Sequence, residues 1–304
     1  MKRFIFIGAL FFTLVHSAFG FGVADSSVAP TPDSLHSIAP IRVLGRPGPL
    51  DWVTNLPGDW WRWGKQTFTV KQLPVVAGLT AITAATILTD YDSWQATKKP
   101  YDHNSTFHKI NDVTAYLGDG KVQFGIAAVY AAYGFAFNDD KAIRTASQTV
   151  EVILACGGVV QLLKHVTGRE SPFVATTPTG AWRFFPNQID YAKHVPHYDA
   201  FPSGHIATAT ATLTVIIENY PDQKWIPYVG YPILAGVATG LVATSIHWWS
   251  DIPLGVALGY SFGRLVAHPE SSVAEAEKPG TPKTDLGMSV RADGSPALAL
   301  TVRW

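Results

Sequence analysis

The sequence predicts an all-α fold, and three observations carry that expectation. Six apolar runs of helical length follow one another at Pro74–Leu88, Lys121–Phe137, Ala142–Val166, Gly204–Asn219, Trp225–Ile246 and Ile252–Val266. None shows the alternation of a half-buried strand, and no repeat of fixed period joins them. Ala and Gly recur through them, which lets neighbouring helices approach closely. The expected architecture is a six-helix bundle over residues 71–268, with a signal peptide ahead of it and a small β-hairpin behind it.

Taken in order, the chain opens on Met1-Lys2-Arg3, the apolar stretch Phe4 to Leu14, and the small-residue stretch Ser17-Ala18-Phe19-Gly20. That pattern is a secretory signal peptide over 1–20, cleaved after Gly20, with a retained membrane anchor as the alternative. Residues 21–70 form an N-terminal arm. It is rich in Ser, Pro and Ala up to about Gly48 and then carries Asp59-Trp60-Trp61-Arg62-Trp63, whose indoles suit either a membrane–water boundary or a cap on the helical core. Between the first two runs, Asp90 to Gly120 is polar and aromatic, with a short amphipathic helix at Thr106–Leu117. Between the third and fourth lies Phe173 to Ala200, the expected substrate lid. Its His194 and His197 lack a third ligand at metal-site spacing. From 269 onward, a Pro/Glu/Ala/Lys linker leads to two alternating segments around Asp293-Gly294, read as the hairpin.

Composition narrows the function. Basic and acidic residues balance at 23 each, and loss of Lys2 and Arg3 takes the formal charge to about −2, so no nucleic-acid partner is implied. The single cysteine, Cys156, lies inside an apolar run and permits no intramolecular disulfide. Mean hydropathy is only +0.12. Several runs are short or interrupted for spanning, which takes ~20 apolar residues, and the third carries Arg144, Gln148, Glu151 and Gln161. The expectation is therefore an exported, periplasmic protein in the cell envelope with membrane association, an integral membrane protein being the alternative.

Polar groups gather where apolar runs stop. Pro202-Ser203-Gly204-His205 opens the fourth run, where unpaired backbone N–H groups, a hydroxyl and an imidazole suit an anion. Lys164 and Arg169 close the third run, and His247 and Asp251 stand four apart between the fifth and sixth. A His and an Asp so placed can hydrogen-bond, leaving the second imidazole nitrogen for the site.

In these residues the chain resembles the type 2 phosphatidic acid phosphatase superfamily, which includes bacterial acid phosphatases and vanadium haloperoxidases. The family pattern is Lys, six residues, Arg-Pro; then Pro-Ser-Gly-His; then Ser-Arg, five residues, His, three residues, Asp. The second block is complete as Pro202 to His205. The first keeps Lys164 and Pro172 but has Ser171 in place of Arg, and the third keeps His247 and Asp251 but has Gly240-Leu241 in place of Ser-Arg.

The resemblance implies a phosphatase that needs no metal and no cofactor and releases phosphate from a lipid phosphate or another phosphomonoester or diphosphate. His247 would be the nucleophile, Asp251 its orienting partner and His205 the general acid and base. Lys164, Arg169, Ser203 and Gly204 would hold the phosphoryl oxygens. Arg183, His165 or Arg264, with Arg169 swinging into the place left by Ser171, would compensate for the missing guanidiniums. The partners expected are a phosphorylated small molecule or lipid and a membrane surface. A catalytically weakened protein binding a phosphorylated lipid or glycan is the alternative, and a vanadate-dependent haloperoxidase a third.

Overall fold

The computed structural model describes residues 46–269, 283–290 and 296–303. The signal-peptide segment, the arm before Arg46, most of the linker and the Asp293-Gly294 turn lie outside the described residues. The chain divides into two units, Met1–Ala267 and His268–Trp304.

Among the described residues of the first unit, ten α-helices follow one another: α1 (Asp51–Thr54), α2 (Leu56–Thr67), α3 (Leu73–His103), α4 (Ser105–Leu117), α5 (Gly120–Phe137), α6 (Asp140–Thr167), α7 (Gln188–Lys193), α8 (Gly204–Asn219), α9 (Trp225–Ala243) and α10 (Asp251–Ala267). In the second, β1 (Lys283–Val290) pairs antiparallel with β2 (Pro296–Arg303), Lys283 opposite Arg303.

Local chemistry sets the helix boundaries. Asn104, Asp119, Asp139 and Ser203 precede α4, α5, α6 and α8, and each side chain accepts a backbone N–H of the first turn. At the far end of α6, Gly168 takes the left-handed conformation at φ 54° and its N–H reaches the Lys164 carbonyl. A side chain there would also meet the Arg183 carbonyl at 2.1 Å, so glycine is required twice over.

α8 is the centre of the core. Ala207, Ala211 and Val215 pack with Val152, Ala155, Cys156 and Val160 of α6 and with Leu258 and Phe262 of α10. Ile206 and Ala209 pack instead with Leu234, Val237 and Leu241 of α9. Gly255, Gly259 and Gly263 set α10 against α8: a Cβ on each would strike Ser203, Ala207 and Thr214 in turn, at 2.7, 2.2 and 2.6 Å. The contacts advance along both helices together, so α8 and α10 run parallel and their N-termini meet at one end. That meeting point is where the motifs converge.

Several expectations are corrected. α3 does not stop near Leu88 but continues to His103, because Asp90, Trp94 and Thr97 are satisfied by Ser250 and Arg169, Ser245 and Trp249 respectively. α9 ends at Ala243, since Ser245 turns the chain with φ 63°. The arm is helical from Asp51, and α2 docks on the core: the Trp60 indole N–H donates to the Ala155 carbonyl at 2.9 Å, and Trp63 stacks on Phe262 with centroids 4.9 Å apart. Of the two places the indoles suit, these contacts are those of a cap on the helical core, with Trp60 still 42% exposed. Three helices, Val70–His103, Asp140–Thr167 and Trp225–Ala243, are long and apolar enough to cross a membrane. The expectation that the runs are too short therefore fails for these three.

Candidate active site

Three chain segments build the site. The last turn of α6 brings Lys164, the first turn of α8 brings Ser203, Gly204 and His205, and the turn between α9 and α10 brings His247 and Asp251. His205 Nδ1 lies 3.3 Å from His247 Nε2. His247 Nδ1 faces the Ala200 carbonyl at 2.9 Å and Asp251 Oδ2 at 3.4 Å. A proton on Nδ1 satisfies both acceptors, so the lone pair is left on Nε2, pointing at His205. Asp251 is itself fixed, with Oδ2 accepting the Trp248 N–H at 2.8 Å and Oδ1 an Arg169 N–H at 2.6 Å.

Burial controls the protonation states. It pulls the His247 imidazole down to about 3, with the Lys164 ammonium adding to the effect. Burial likewise lowers His205 to about 4, reinforced by His247 and Lys164. Asp251 is pushed up to about 6 by burial, against the pull of Arg169. At neutral pH both rings are therefore uncharged bases, the state a nucleophile requires.

Lys164 is nearly enclosed. A Cβ on Gly204 would lie 3.8 Å from its Nζ, so the ammonium sits against the start of α8. With two parallel helices opening here, the dipoles and the lysine favour an anion at this end. Ser203 is fully buried and caps α8, its oxygen accepting the Ile206 N–H at 3.4 Å.

Other predicted residues are not brought to the histidines. Arg169 is fully buried in a knot of its own: one terminal nitrogen donates to Ser250 Oγ and Asp251 Oδ1, both at 2.6 Å, and the other to Asp90 Oδ2 and the Thr179 carbonyl, both at 2.7 Å. The guanidinium lies over Trp182 at 4.7 Å and Trp248 at 5.5 Å. It orients Asp251 and does not reach toward Ser171. Arg183 donates to Glu170 Oε1 at 2.7 Å, and His165 stacks on Tyr191 with its Nδ1 at 2.5 Å from Gln188 Oε1. Arg264 pairs with Glu218 at 3.3 Å. The positions of the absent Ser-Arg are packing sites: Leu241 is fully buried, and a Cβ on Gly240 would strike the backbone of α4 at 2.6 Å.

Sequence reasoning missed five participants. Asp199 pairs with Lys164 at 3.4 Å, the Ala200 carbonyl holds His247, Asp90 and Ser250 complete the knot around Arg169, and Glu170 anchors the segment expected to be a lid. Burial would raise Glu170, but N–H groups of Thr176 and Ala181 together with Arg183 bring it down to about 2. That segment is therefore tied down rather than hinged. Asp90 left no local signal, since it is one of several polar residues just past the apolar run.

Two imidazoles in contact, one backed by a buried carboxylate, thus lie beside a lysine at two helix N-termini, which joins neutral bases to an end that favours an anion. The PAP2 superfamily model matches residues 146–270, the stretch that holds Lys164, Ser203, His205, His247 and Asp251. The chain is also similar to a lipid A 1-phosphatase of Porphyromonas gingivalis, 32% identical over 68 residues, or 22% of this chain. The match spans only 15% of that relative's length. Among solved structures it is similar to a transmembrane PAP2 type phosphatidylglycerolphosphate phosphatase from Bacillus subtilis, with TM-score 0.40 and 16% identity, covering 76% of this chain and 100% of the other.

Proposed function

We propose that this protein is a membrane-associated phosphatase acting on a phosphorylated lipid through a phosphohistidine. The observation that carries the reading is the His205–His247 contact at 3.3 Å, with His247 Nδ1 held from behind by Ala200 and Asp251. The two rings touch, so the substrate phosphoryl group must part them. His247 Nε2 then attacks phosphorus, the bond to the leaving oxygen breaks, and His205 protonates that oxygen. The proton reaches His205 on binding, because an adjacent phosphate raises the basicity of both rings. In the second half, His205 takes a proton from water, whose oxygen attacks phosphorus and releases phosphate and free His247. Lys164 and the N–H groups at the start of α8 stabilise charge on the transferring group.

The lipid preference is supported by the three long apolar helices and by the similarity to a lipid A 1-phosphatase. The test is phosphate release across lipid phosphates, polyprenyl diphosphates, sugar phosphates and nucleotides, with EDTA present. His247→Gln should abolish both release and an acid-labile phosphoenzyme while leaving helix content unchanged. Turnover retained in that variant would remove the mechanism.

A second reading, a phospholigand-binding protein with little turnover, is favoured by one feature. Asp199 neutralises Lys164, and Arg169 is consumed by Asp90 and Asp251. Phosphate binding to wild type with no release from any substrate class would select it.

A further inference from the structure

We propose that Phe184 and Phe185 form a rigid membrane-inserting tip, whose partner is the headgroup–acyl boundary of a phospholipid leaflet. The segment between α6 and α8 exposes apolar side chains that a water-facing loop has no reason to carry. Phe184 is 65% exposed and Phe185 75%, with Phe173, Ile189 and Val195 also exposed.

The tip is held out, not loose. The Phe185 N–H donates to the Val166 carbonyl at 2.8 Å and the Arg183 N–H to the Gly168 carbonyl at 3.0 Å. Arg183 is locked to Glu170, Phe184 stacks on Trp182 at 5.9 Å, and Phe185 holds φ 53°, a conformation unusual for a bulky side chain. Two rings presented on a fixed backbone carry the cost of ordering that segment with little burial in return, which a partner that covers them would offset.

The position of the tip selects the partner. Val166 and Gly168 are the end of α6, one of the helices long and apolar enough to cross a membrane. α9 also ends at this level, four residues before His247, and the apolar first part of α3 ends at Asp90, which bonds Arg169. Three apolar stretches thus stop together where the tip projects, which is where crossing helices leave the hydrocarbon and aromatic rings prefer to sit. Continuity with those helices favours a leaflet over a second copy of the chain.

The test needs no turnover, so it stands apart from the phosphatase reading. Cys156 is fully buried, and a new thiol from Phe185→Cys can carry an environment-sensitive label in vesicles of phosphatidylethanolamine and phosphatidylglycerol. Asp222→Cys, on an exposed turn between α8 and α9, serves as the aqueous control. The expected result is blue-shifted emission at 185, quenched by lipids carrying a shallow nitroxide and shielded from iodide. Emission equal to the control and quenched by iodide would overturn the proposal. So would a blue shift that is insensitive to nitroxide lipid but grows with protein-to-lipid ratio, since it would mean a protein partner. As a second measurement, Phe184→Ser/Phe185→Ser should raise KM for a long-chain lipid phosphate in vesicles about tenfold, with kcat/KM for a water-soluble aryl phosphate unchanged. An equal loss on both substrates, or none on either, counts against insertion.

Discussion

Lys164 faces a choice of anion at the scale of single residues. Its ammonium is paired with Asp199 at 3.4 Å, and a phosphoryl group entering between His205 and His247 would compete for the same charge. Asp199→Asn removes the competitor without removing the lysine. Inhibition by vanadate, which mimics the pentacoordinate phosphorus, should tighten about tenfold, the effect of one freed charge-assisted hydrogen bond of ~1.5 kcal/mol. An unchanged inhibition constant would mean that the pair is incidental. Arg169 has the opposite character. Truncation to Ala would leave Asp90 and Asp251 facing each other in a buried space, a loss of ~3–5 kcal/mol, so Arg169→Ala should fail in thermal denaturation first. Lys164→Ala should spare the melting temperature and weaken phosphate binding. The sequence made Lys164, His205, His247 and Asp251 legible because each interrupts an apolar pattern at a helix end. It made Arg169 visible only as a cation, since its partner Asp90 is 79 residues away and no local spacing announces that pair.

At the scale of elements, the parallel contact of α8 and α10 brings the Pro-Ser-Gly-His turn beside Asp251. Gly259 is its tightest point, a Cβ there lying 2.2 Å from the Ala207 carbonyl. Gly259→Ala must push the helices apart, and overpacking of this kind costs ~1–3 kcal/mol. The two helix N-termini diverge as a result, so activity should fall further than stability, which parallel measurement of kcat and melting temperature will show. An unchanged kcat would mean that the spacing of α8 and α10 does not set the site. The apolar runs revealed α5, α6, α8 and α10 nearly to the residue, because periodic burial and capping side chains agree there. They truncated α3 because the stretch after Leu88, about four turns, is polar and is held by tertiary hydrogen bonds from the turn before α10, which periodicity does not encode.

For the whole molecule, the buried histidines make stability depend on pH. His205 and His247 have folded values of about 4 and about 3, below the ordinary 6.5. Their neutral forms therefore stabilise the fold fully above pH 6.5, and that contribution is lost as pH falls toward the folded values, because the unfolded chain binds protons the folded one refuses. Asp251, raised to about 6 from 3.8, acts in the other sense: its contribution is full below 3.8 and is lost as pH rises through 6. Within the site, two histidines against one aspartate give a net uptake of protons on unfolding between about pH 6.5 and 4. His247→Gln removes one of the two refused protons, so the wild type should lose more melting temperature than this variant as pH is lowered across that window. Equal slopes in the two proteins would contradict the burial of His247 as a neutral base. The same series read as kcat/KM should stay active well below pH 6, since the free base of His247 persists to about 3.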